Sequence, residues 1–300
     1  MDPVVYRDRL ADASHRTSFA VIGDTQRTMA YQLLMGREWN NHPERTLLVE
    51  DVARRSPACL IIAGDLVCYG QLDRDWRYFD DVMAPLRARD VPILPVVGNH
   101  DYFVTRGRSL PRLCSRFPRL SESTWYVERI GPLAIVVLDS NRGPLGAASW
   151  ARQRAFLDAC AEELDADPTV RGVLFFGHHP PITNSFEVGP HRPTLADVVP
   201  TFLGMRKSLA YVSGHCHAYE RFHRGGKTFL VSGGGGGPRQ PLRRGWLARS
   251  PDLYPGGTVR PFHYLWITVE GDGLTVEVRG FERRETVLRE LERFTLAFCT

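Results

Sequence analysis

The sequence has 300 residues, enough for one large α/β domain or two small ones, and its 43% hydrophobic and 24% charged residues are ordinary for a globular protein. Lys and Arg exceed Asp and Glu by 38 − 34 = 4, spread along the chain, so charge indicates neither a nucleic-acid nor a membrane partner. The sequence shows no apolar signal segment, no run of eighteen apolar residues and no CxxC spacing among its six cysteines. We therefore expect a cytoplasmic protein with reduced thiols.

Short apolar runs alternate with segments of helical spacing in the first third of the chain. The predicted strands cover residues 19–22, 59–63 and 93–97, and the predicted helices cover residues 29–40, 45–55 and 73–89. A glycine directly follows each of these strands. Strands and helices that alternate in this way are typical of a βαβ sheet.

The remainder of the chain contains more strands. They are predicted at residues 125–129, 133–138, 173–176, 209–213, 228–231, 264–270, 274–279 and 288–296, with one helix at 147–165. Two segments dense in Pro, Gly and Arg, 183–193 and 238–260, are too long for tight connections and are predicted to form lids over a site. We expect one domain over residues 1–300, in which the C-terminal strands at 262–296 complete a second sheet packed on the first.

The segment Gly98-Asn99-His100-Asp101 directly follows the third predicted strand. Ligands of open α/β sheets bind at such strand ends. Asn99 offers an amide oxygen that could complete a metal site, His100 an imidazole that could donate a proton to a leaving group, and Asp101 a carboxylate that could orient the imidazole. A turn with a capping Asn and a surface His would have the same sequence, so the interpretation depends on the other strand ends.

Five predicted strands end in a glycine followed by a side chain that can bind metal. These side chains, with a histidine two residues further on, are Asp24, Asp65, Asn99, His178, His215 and His217. Oxygen ligands mixed with imidazoles suit Mn, Fe or Zn, and the set is too large for one catalytic ion. It suits two ions roughly 3.5–4 Å apart, bridged by a carboxylate and a hydroxide. In an extended backbone His215 and His217 would point the same way, and Cys216 would point into packing.

Five short motifs carry a resemblance to a known family: GDxQ at 23–26, GDxxxxG at 64–70, GNHD at 98–101, GHHPP at 177–181 and GHxH at 214–217. In this order they resemble the calcineurin-like metallophosphoesterase superfamily, and the run GHCHAYER is similar to its purple acid phosphatase branch. The resemblance covers residues 19–232. It implies a metallo-dependent phosphatase-like fold, a four-layer α/β/β/α sandwich of two mixed β-sheets flanked by helices.

The resemblance also implies an activity. It implies a binuclear metal-dependent phosphoric-ester hydrolase, a phosphatase or phosphodiesterase, acting on a small phosphorylated substrate. A metal-bridging hydroxide would attack phosphorus, with His100 as general acid oriented by Asp101. The alternative is a catalytically weak or inactive scaffold of the same fold that binds a protein partner. A scaffold tends to lose ligands, and the nearly complete set in this sequence favours the enzyme.

The metal-binding roles follow from the resemblance residue by residue. Asp24 and His217 would bind the first ion, and Asp65 would bridge the two. The second ion, like the first a Mn, Fe or Zn ion, would be held by Asn99, His178 and His215.

Two positions depart from the family pattern. Gln26 stands where many members have histidine, and its amide could ligate a metal weakly or form hydrogen bonds only. Cys68 stands where purple acid phosphatases have a ligand tyrosine, and Tyr69 comes one residue later. A tyrosinate-ligated iron is therefore not expected.

Overall fold

The computed structural model of the protein describes residues 3–10, 17–29, 32 and 41–299. In this part of the chain, two six-stranded sheets pack against each other, with helices on their outer sides. The fold is therefore the predicted four-layer α/β/β/α sandwich of mixed sheets. The helix predicted at residues 29–40 falls almost wholly outside the described residues.

The strands are β1 (Ser18–Ile22), β2 (Leu60–Ile62), β3 (Ile93–Pro95), β4 (Tyr126–Ile130), β5 (Leu133–Val137), β6 (Gly172–Phe176), β7 (Ser208–Ser213), β8 (Tyr219–Arg224), β9 (Lys227–Ser232), β10 (Phe262–Glu270), β11 (Gly273–Phe281) and β12 (Arg289–Ala297). Among the described residues, the α-helices are α1 (His42–Arg55), α2 (Asp73–Val82), α3 (Ala84–Arg87), α4 (Arg106–Arg116), α5 (Arg142–Ala166), α6 (Arg192–Asp197) and α7 (Val199–Gly204). Short 3₁₀ turns lie at Pro118–Ser121 and Gly245–Leu247.

The first sheet has the order β12-β11-β10-β1-β2-β3. Strands β1, β2 and β3 run parallel, and their apolar residues are fully buried, as expected for strands covered on both faces. Parallel strands direct their carboxyl ends to one edge of the sheet, where ligands of such sheets bind. The loops that carry the first three motifs therefore meet at this edge.

The C-terminal strands belong to the first sheet, and the prediction that they complete the second is wrong. Strand β10 pairs antiparallel with β1, with Val21 opposite Leu265, and β11 and β12 extend the sheet outward. Strand β10 is mostly buried and covers an edge that β1 would otherwise expose. Apolar alternation predicts that a segment is a strand, but it does not indicate which strand becomes its neighbour.

The second sheet has the order β4-β5-β6-β7-β9-β8, with antiparallel strands at its two edges. The sequence pattern does not predict the edge strand β8, because its sequence YERFHR has neither an apolar run nor a strict alternation of apolar and polar residues. Pairing with β9 buries much of this strand. Its buried carboxylate, Glu220, accepts hydrogen bonds from the Thr183 hydroxyl and the Asn184 backbone N–H.

The helices differ from the predictions mainly at their ends. The helix predicted at 73–89 is two helices, α2 and α3, which meet at Met83, and Pro85 near the start of α3 cannot donate to the preceding turn. Helix α5 begins at Arg142, earlier than predicted, with a break at Gly146. The sequence pattern does not predict α4, α6 or α7. Among the described residues, no helix has the length and apolar character needed to cross a membrane.

Candidate metal centre and active site

Two buried aspartates at the ends of β1 and β2 have an unusual backbone conformation. Asp24 and Asp65 have φ angles of 60° and 54°, in the left-handed region that non-glycine residues rarely adopt. Such conformations cluster at functional sites. Gly98 passes so close to Asp65 that a Cβ at this position would overlap its backbone and carboxylate. The glycine therefore lets the loop after β3 approach the Asp65 carboxylate.

Asp65 lies at the centre of the cluster. Its Oδ1 accepts a hydrogen bond from the backbone N–H of His100 at 2.8 Å and lies 3.3 Å from Nε2 of His178. Its Oδ2 lies 3.3 Å from Nε2 of Gln26 and 3.9 Å from Nε2 of His100. Single ligand atoms of Asp24, Asp65 and His178 all lie within 4.8 Å of one another. The carboxylate predicted to bridge therefore has candidate ligands on both sides.

Two histidines present the same ring nitrogen to this cluster. Nδ1 of His178 is 2.9 Å from the carbonyl oxygen of Ala63, and Nδ1 of His217 is 2.7 Å from that of Pro238. A carbonyl oxygen can only accept, so Nδ1 carries the proton in both rings. Nε2 of each ring is then left with a lone pair for a metal, the arrangement usual for histidine ligands.

The atoms that face one another at the centre are mostly acceptors. Nε2 of His178 is 3.0 Å from Oδ1 of Asn99, and Nε2 of His217 is 3.4 Å from Oδ1 of Asp24. Buried acceptors this close together require a positive charge, supplied by protons or by cations. Because the donor set combines carboxylate, amide and imidazole atoms, the residues fit transition-metal cations.

The same crowding affects the acid–base properties of the cluster. Burial alone would raise the pKa of Asp65, but the facing imidazole of His178 helps to hold it well below its usual range. Burial would lower the pKa of His178, and the Asp65 carboxylate raises it to about 9. Burial dominates at Asp24, whose pKa is raised although His217 faces it, and at His215, whose pKa falls to about 3. The carboxylates and imidazoles of the cluster thus strongly affect one another's protonation.

His215 and His217 reach the cluster through a bend. His215 has a φ angle of 67°, and its backbone N–H donates to the Asp24 carboxylate at 2.9 Å. Its ring centroid lies 5.0 Å from that of His178. The predicted extended backbone is therefore wrong, because a left-handed residue interrupts it, although both histidines do reach the cluster. Cys216 is fully buried, as expected.

Asp101 does not orient the imidazole of His100, contrary to the prediction. Its carboxylate accepts hydrogen bonds from the backbone N–H groups of Gly98 at 2.8 Å and Val67 at 3.2 Å. These backbone donors occupy both carboxylate oxygens, and the sequence gives no sign of them. Burial, together with the nearby Asp65, raises the pKa of Asp101 to about 8. The residue ties the loop after β2 to the loop after β3.

The backbone orients His100 instead. Its Nδ1 lies 2.9 Å from the carbonyl oxygen of Cys68, so Nδ1 donates and Nε2 is on the side of Asp65. Cys68 thus contributes its main chain at the position where the resembling enzymes have a ligand tyrosine. The ring of Tyr69 packs edge-on against Phe103, with centroids 5.3 Å apart.

Gln26 contacts both halves of the cluster. Its Nε2 lies 3.3 Å from Oδ2 of Asp65 and 3.1 Å from Nε2 of His217. Its Oε1 is buried without a hydrogen-bond partner among the described residues. The two ends of an amide are assigned from hydrogen bonding, and turning it by half a rotation would place the oxygen where the nitrogen lies. The geometry is compatible with both predicted roles, metal ligand and hydrogen-bond donor.

A second pair of histidines lies beside the cluster. The ring centroid of His179 is 4.5 Å from those of His215 and His191, and its Nδ1 is 2.8 Å from Oγ of Ser140. The motifs do not predict this pairing, because His191 comes from a loop. The only signal for His179 in the sequence is its position next to His178.

The two predicted lids form one packed layer. The backbone N–H of Arg243 donates to the carbonyl of Asn184 at 2.8 Å, and that of Phe186 donates to the carbonyl of Pro241 at 3.0 Å. These bonds join the segment at 183–193 to the one at 238–260. The segments are thus tied to each other beside the site and do not form two separate covers.

Comparison with known proteins identifies the family. The chain matches the family described as calcineurin-like phosphoesterase over residues 17–219, more than half of its length. It belongs to this family, as the five motifs predict. Members of the family typically bind divalent metals, and the candidate cluster lies where the motifs meet. No curated protein matches the chain.

Solved structures with the same fold include three of different kinds. GAP50, the anchor in the inner membrane complex of Plasmodium, superposes with a TM-score of 0.71 at 12% identity over 95% of this chain and 90% of its own. The purple acid phosphatase PPD1 from yellow lupin (Lupinus luteus) seeds has a TM-score of 0.67 at 17% identity over 95% of this chain and 54% of its own. A dimetal phosphatase from Danio rerio has a TM-score of 0.61 at 18% identity over 99% and 100%. At such identities the likeness shows the fold.

Proposed function

We propose that the protein is a binuclear metal-dependent phosphoric-ester hydrolase. The observation that carries the proposal is the convergence of acceptor atoms around Asp65, with two imidazoles turned by carbonyl oxygens so that Nε2 faces inward. A purely structural cluster would pair donors with acceptors. Here Nε2 of His178 faces Oδ1 of Asn99 and Nε2 of His217 faces Oδ1 of Asp24, and two cations would satisfy these lone pairs.

The residues divide into two ligand sets around Asp65. Asp24 and His217 would hold one ion, with Gln26 as ligand or hydrogen-bond donor beside them. The set for the other ion is Asn99, His178 and His215. Mn, Fe and Zn suit this mixture of ligands. When bound, two such ions supply Lewis-acid polarisation of the phosphoryl oxygens and lower the pKa of a bound water to about 7.

His100 would act on the leaving group. Because Nδ1 is held by the carbonyl oxygen of Cys68, Nε2, on the side of Asp65, is the nitrogen that would carry the transferable proton when both ring nitrogens are protonated. A proton from Nε2 to the departing oxygen prevents the release of a strongly basic alkoxide. The backbone contact fixes the ring in this orientation before substrate binds.

A non-catalytic scaffold of the same fold is the second candidate. The anchor protein GAP50 of Plasmodium superposes over most of this chain, and this likeness is the reason for the second candidate. Completeness of the ligand set separates the two proposals. All six predicted ligands lie in one cluster together with His100, and this supports the enzyme.

The test is a metal titration combined with a substrate panel. The full chain is freed of metal, reconstituted with Mn²⁺ and assayed with a nitrophenyl monoester, its bis-ester and cyclic AMP. We expect about two bound ions per chain and hydrolysis of at least one ester. Two bound ions without hydrolysis would favour the scaffold. Fewer than two ions after saturation would contradict the binuclear site.

A further inference from the structure

The loop after the GNHD motif places an aromatic side chain on the imidazole of His100. The Phe103 ring stacks on the His100 ring with centroids 5.5 Å apart and planes 14° from parallel. The Tyr69 ring packs edge-on against the Phe103 ring, with centroids 5.3 Å apart. We call Phe103 and Tyr69 the aromatic shelf. It adjoins the one residue of the cluster that is proposed to act on the leaving group.

The shelf is partly open to solvent. Phe103 is 37% exposed and the following Val104 is 63% exposed, although both are large apolar residues. The backbone holds them there, because the N–H of Phe103 donates to the carbonyl of His100 at 3.1 Å. Val104 has a φ angle of 74°, which is rare for a β-branched residue and occurs mainly where a loop has a function.

The position of the shelf restricts what it can contact. Nε2 of His100 lies 3.9 Å from the Asp65 carboxylate, so the phosphoryl group is expected on that side of the imidazole. The oxygen that receives the proton belongs to the leaving group. The remainder of the leaving group then lies beside the imidazole of His100, on which the partly exposed ring of Phe103 stacks.

We propose that the aromatic shelf binds a flat aromatic leaving group, so that the enzyme prefers phosphate esters of aryl-bearing alcohols or of nucleosides over alkyl esters. The proposal rests on the proposed function and adds its substrate class. Stacked and edge-to-face aromatic contacts favour a planar ring over a saturated ring of the same size, by roughly 3- to 10-fold in affinity. The phosphate is bound by the metal centre, and the shelf selects the group attached to it.

The test uses two esters that differ only in the ring. Benzyl phosphate and cyclohexylmethyl phosphate both release a primary alkoxide, so protonation by His100 matters similarly for both. We expect the Mn²⁺-loaded protein to favour benzyl phosphate roughly 3- to 10-fold in kcat/KM, mainly through KM. Phe103→Leu should remove this preference, and Phe103→Tyr should keep it. Val287→Ala, which truncates an exposed apolar residue elsewhere, is the matched control and should change nothing.

Two arms separate the sources of the aromatic group. If Phe103→Leu also lowers the preference for AMP over ribose 5-phosphate, the shelf accepts a nucleobase; if only the benzyl preference falls, it accepts an aryl ring. An unchanged benzyl preference in Phe103→Leu would overturn the proposal. An equal loss for both esters would also overturn it and make Phe103 a positioning residue for His100.

Binding of benzylphosphonate and cyclohexylmethylphosphonate, measured by calorimetry, keeps the proposal independent of turnover. A protein that hydrolyses no ester but prefers benzylphosphonate, with the preference lost in Phe103→Leu, would contradict the proposed function and support the shelf. Hydrolysis of the esters without any ring preference would support the proposed function and contradict the shelf.

Discussion

Nδ1 of His100 lies 2.9 Å from the carbonyl oxygen of Cys68. This contact sets the tautomer of the ring, because a carbonyl oxygen accepts a proton donor and cannot serve as one. The other nitrogen, Nε2, is then free to exchange a proton with a substrate. The orientation of the candidate acid thus comes from a main-chain atom, which a substitution at residue 68 would not remove.

We expect His100→Asn to keep the metals and the fold but to lose about 10²–10⁴-fold in kcat, the usual contribution of a general acid. The loss should be large for an alkyl phosphate, whose alkoxide needs a proton, and small for a nitrophenyl phosphate. Steady-state kinetics with both substrates, together with metal analysis of the variant, checks this. Equal losses for both substrates would make His100 a phosphate-binding residue, and an emptied metal site would make it a ligand.

Asp65→Asn should lose metal and activity together. The carboxylate has candidate ligands on both sides, so weakening it affects both ions. We expect fewer than two ions per chain after saturation with Mn²⁺ and a smaller drop in melting temperature on adding EDTA than the parent protein shows, because metal stabilises only the folded form. Asp90→Asn, at an exposed position with a similar left-handed backbone, is the control and should bind metal normally. Full metal content in Asp65→Asn would contradict the bridging role.

Asp101→Asn should lower the free energy of unfolding. One carboxylate oxygen becomes an N–H₂ group, so one of the backbone donors at Gly98 and Val67 loses its acceptor. A buried donor left unpaired costs about 1–3 kcal/mol, which chemical denaturation can measure. The ratio of activity on nitrophenyl and alkyl phosphates should stay as in the parent protein. A changed ratio would show that Asp101 acts on His100 after all.

Titration of the buried Glu220 carboxyl should lower the free energy of unfolding as pH rises. Burial raises the pKa of this carboxyl to about 7, although hydrogen bonds from Thr183 and Asn184 oppose the shift; Asp252 raises it further and Arg260 lowers it. The folded form therefore holds the proton more tightly than the unfolded form, whose glutamate has a pKa of about 4.3. The free energy of unfolding then falls between about pH 4.3 and 7 and is level above that range.

Glu220→Gln removes this titration, so its melting temperature relative to the parent protein should rise between about pH 5 and pH 8. Glu162→Gln, at an exposed position on helix α5, serves as the matched control and should show a constant difference. Thermal unfolding of the parent protein and both variants across this pH range tests the prediction. A constant difference for Glu220→Gln would mean that the buried carboxyl is not the group that titrates.

The sequence by itself determined which residues form the candidate site. Each motif is local: an apolar run predicts a buried strand, the glycine permits a sharp turn, and the next side chain lies at the strand end. Because parallel strands direct these ends to one edge, Asp24, Asp65 and Asn99 meet without any further information. The family and the four-layer fold follow from the same order of motifs.

Only the tertiary structure decided the contacts made by each side chain. The role expected of Asp101 depended on its neighbour in sequence, but its carboxylate binds backbone groups of two different loops. The carbonyl oxygens of Ala63 and Pro238, 115 and 21 residues away in the chain, orient the rings of His178 and His217. Strand β10 pairs with β1 across more than two hundred residues. Sequence patterns record burial and periodicity, whereas hydrogen-bond partners depend on where distant backbone atoms come to lie, and this is set when the chain packs.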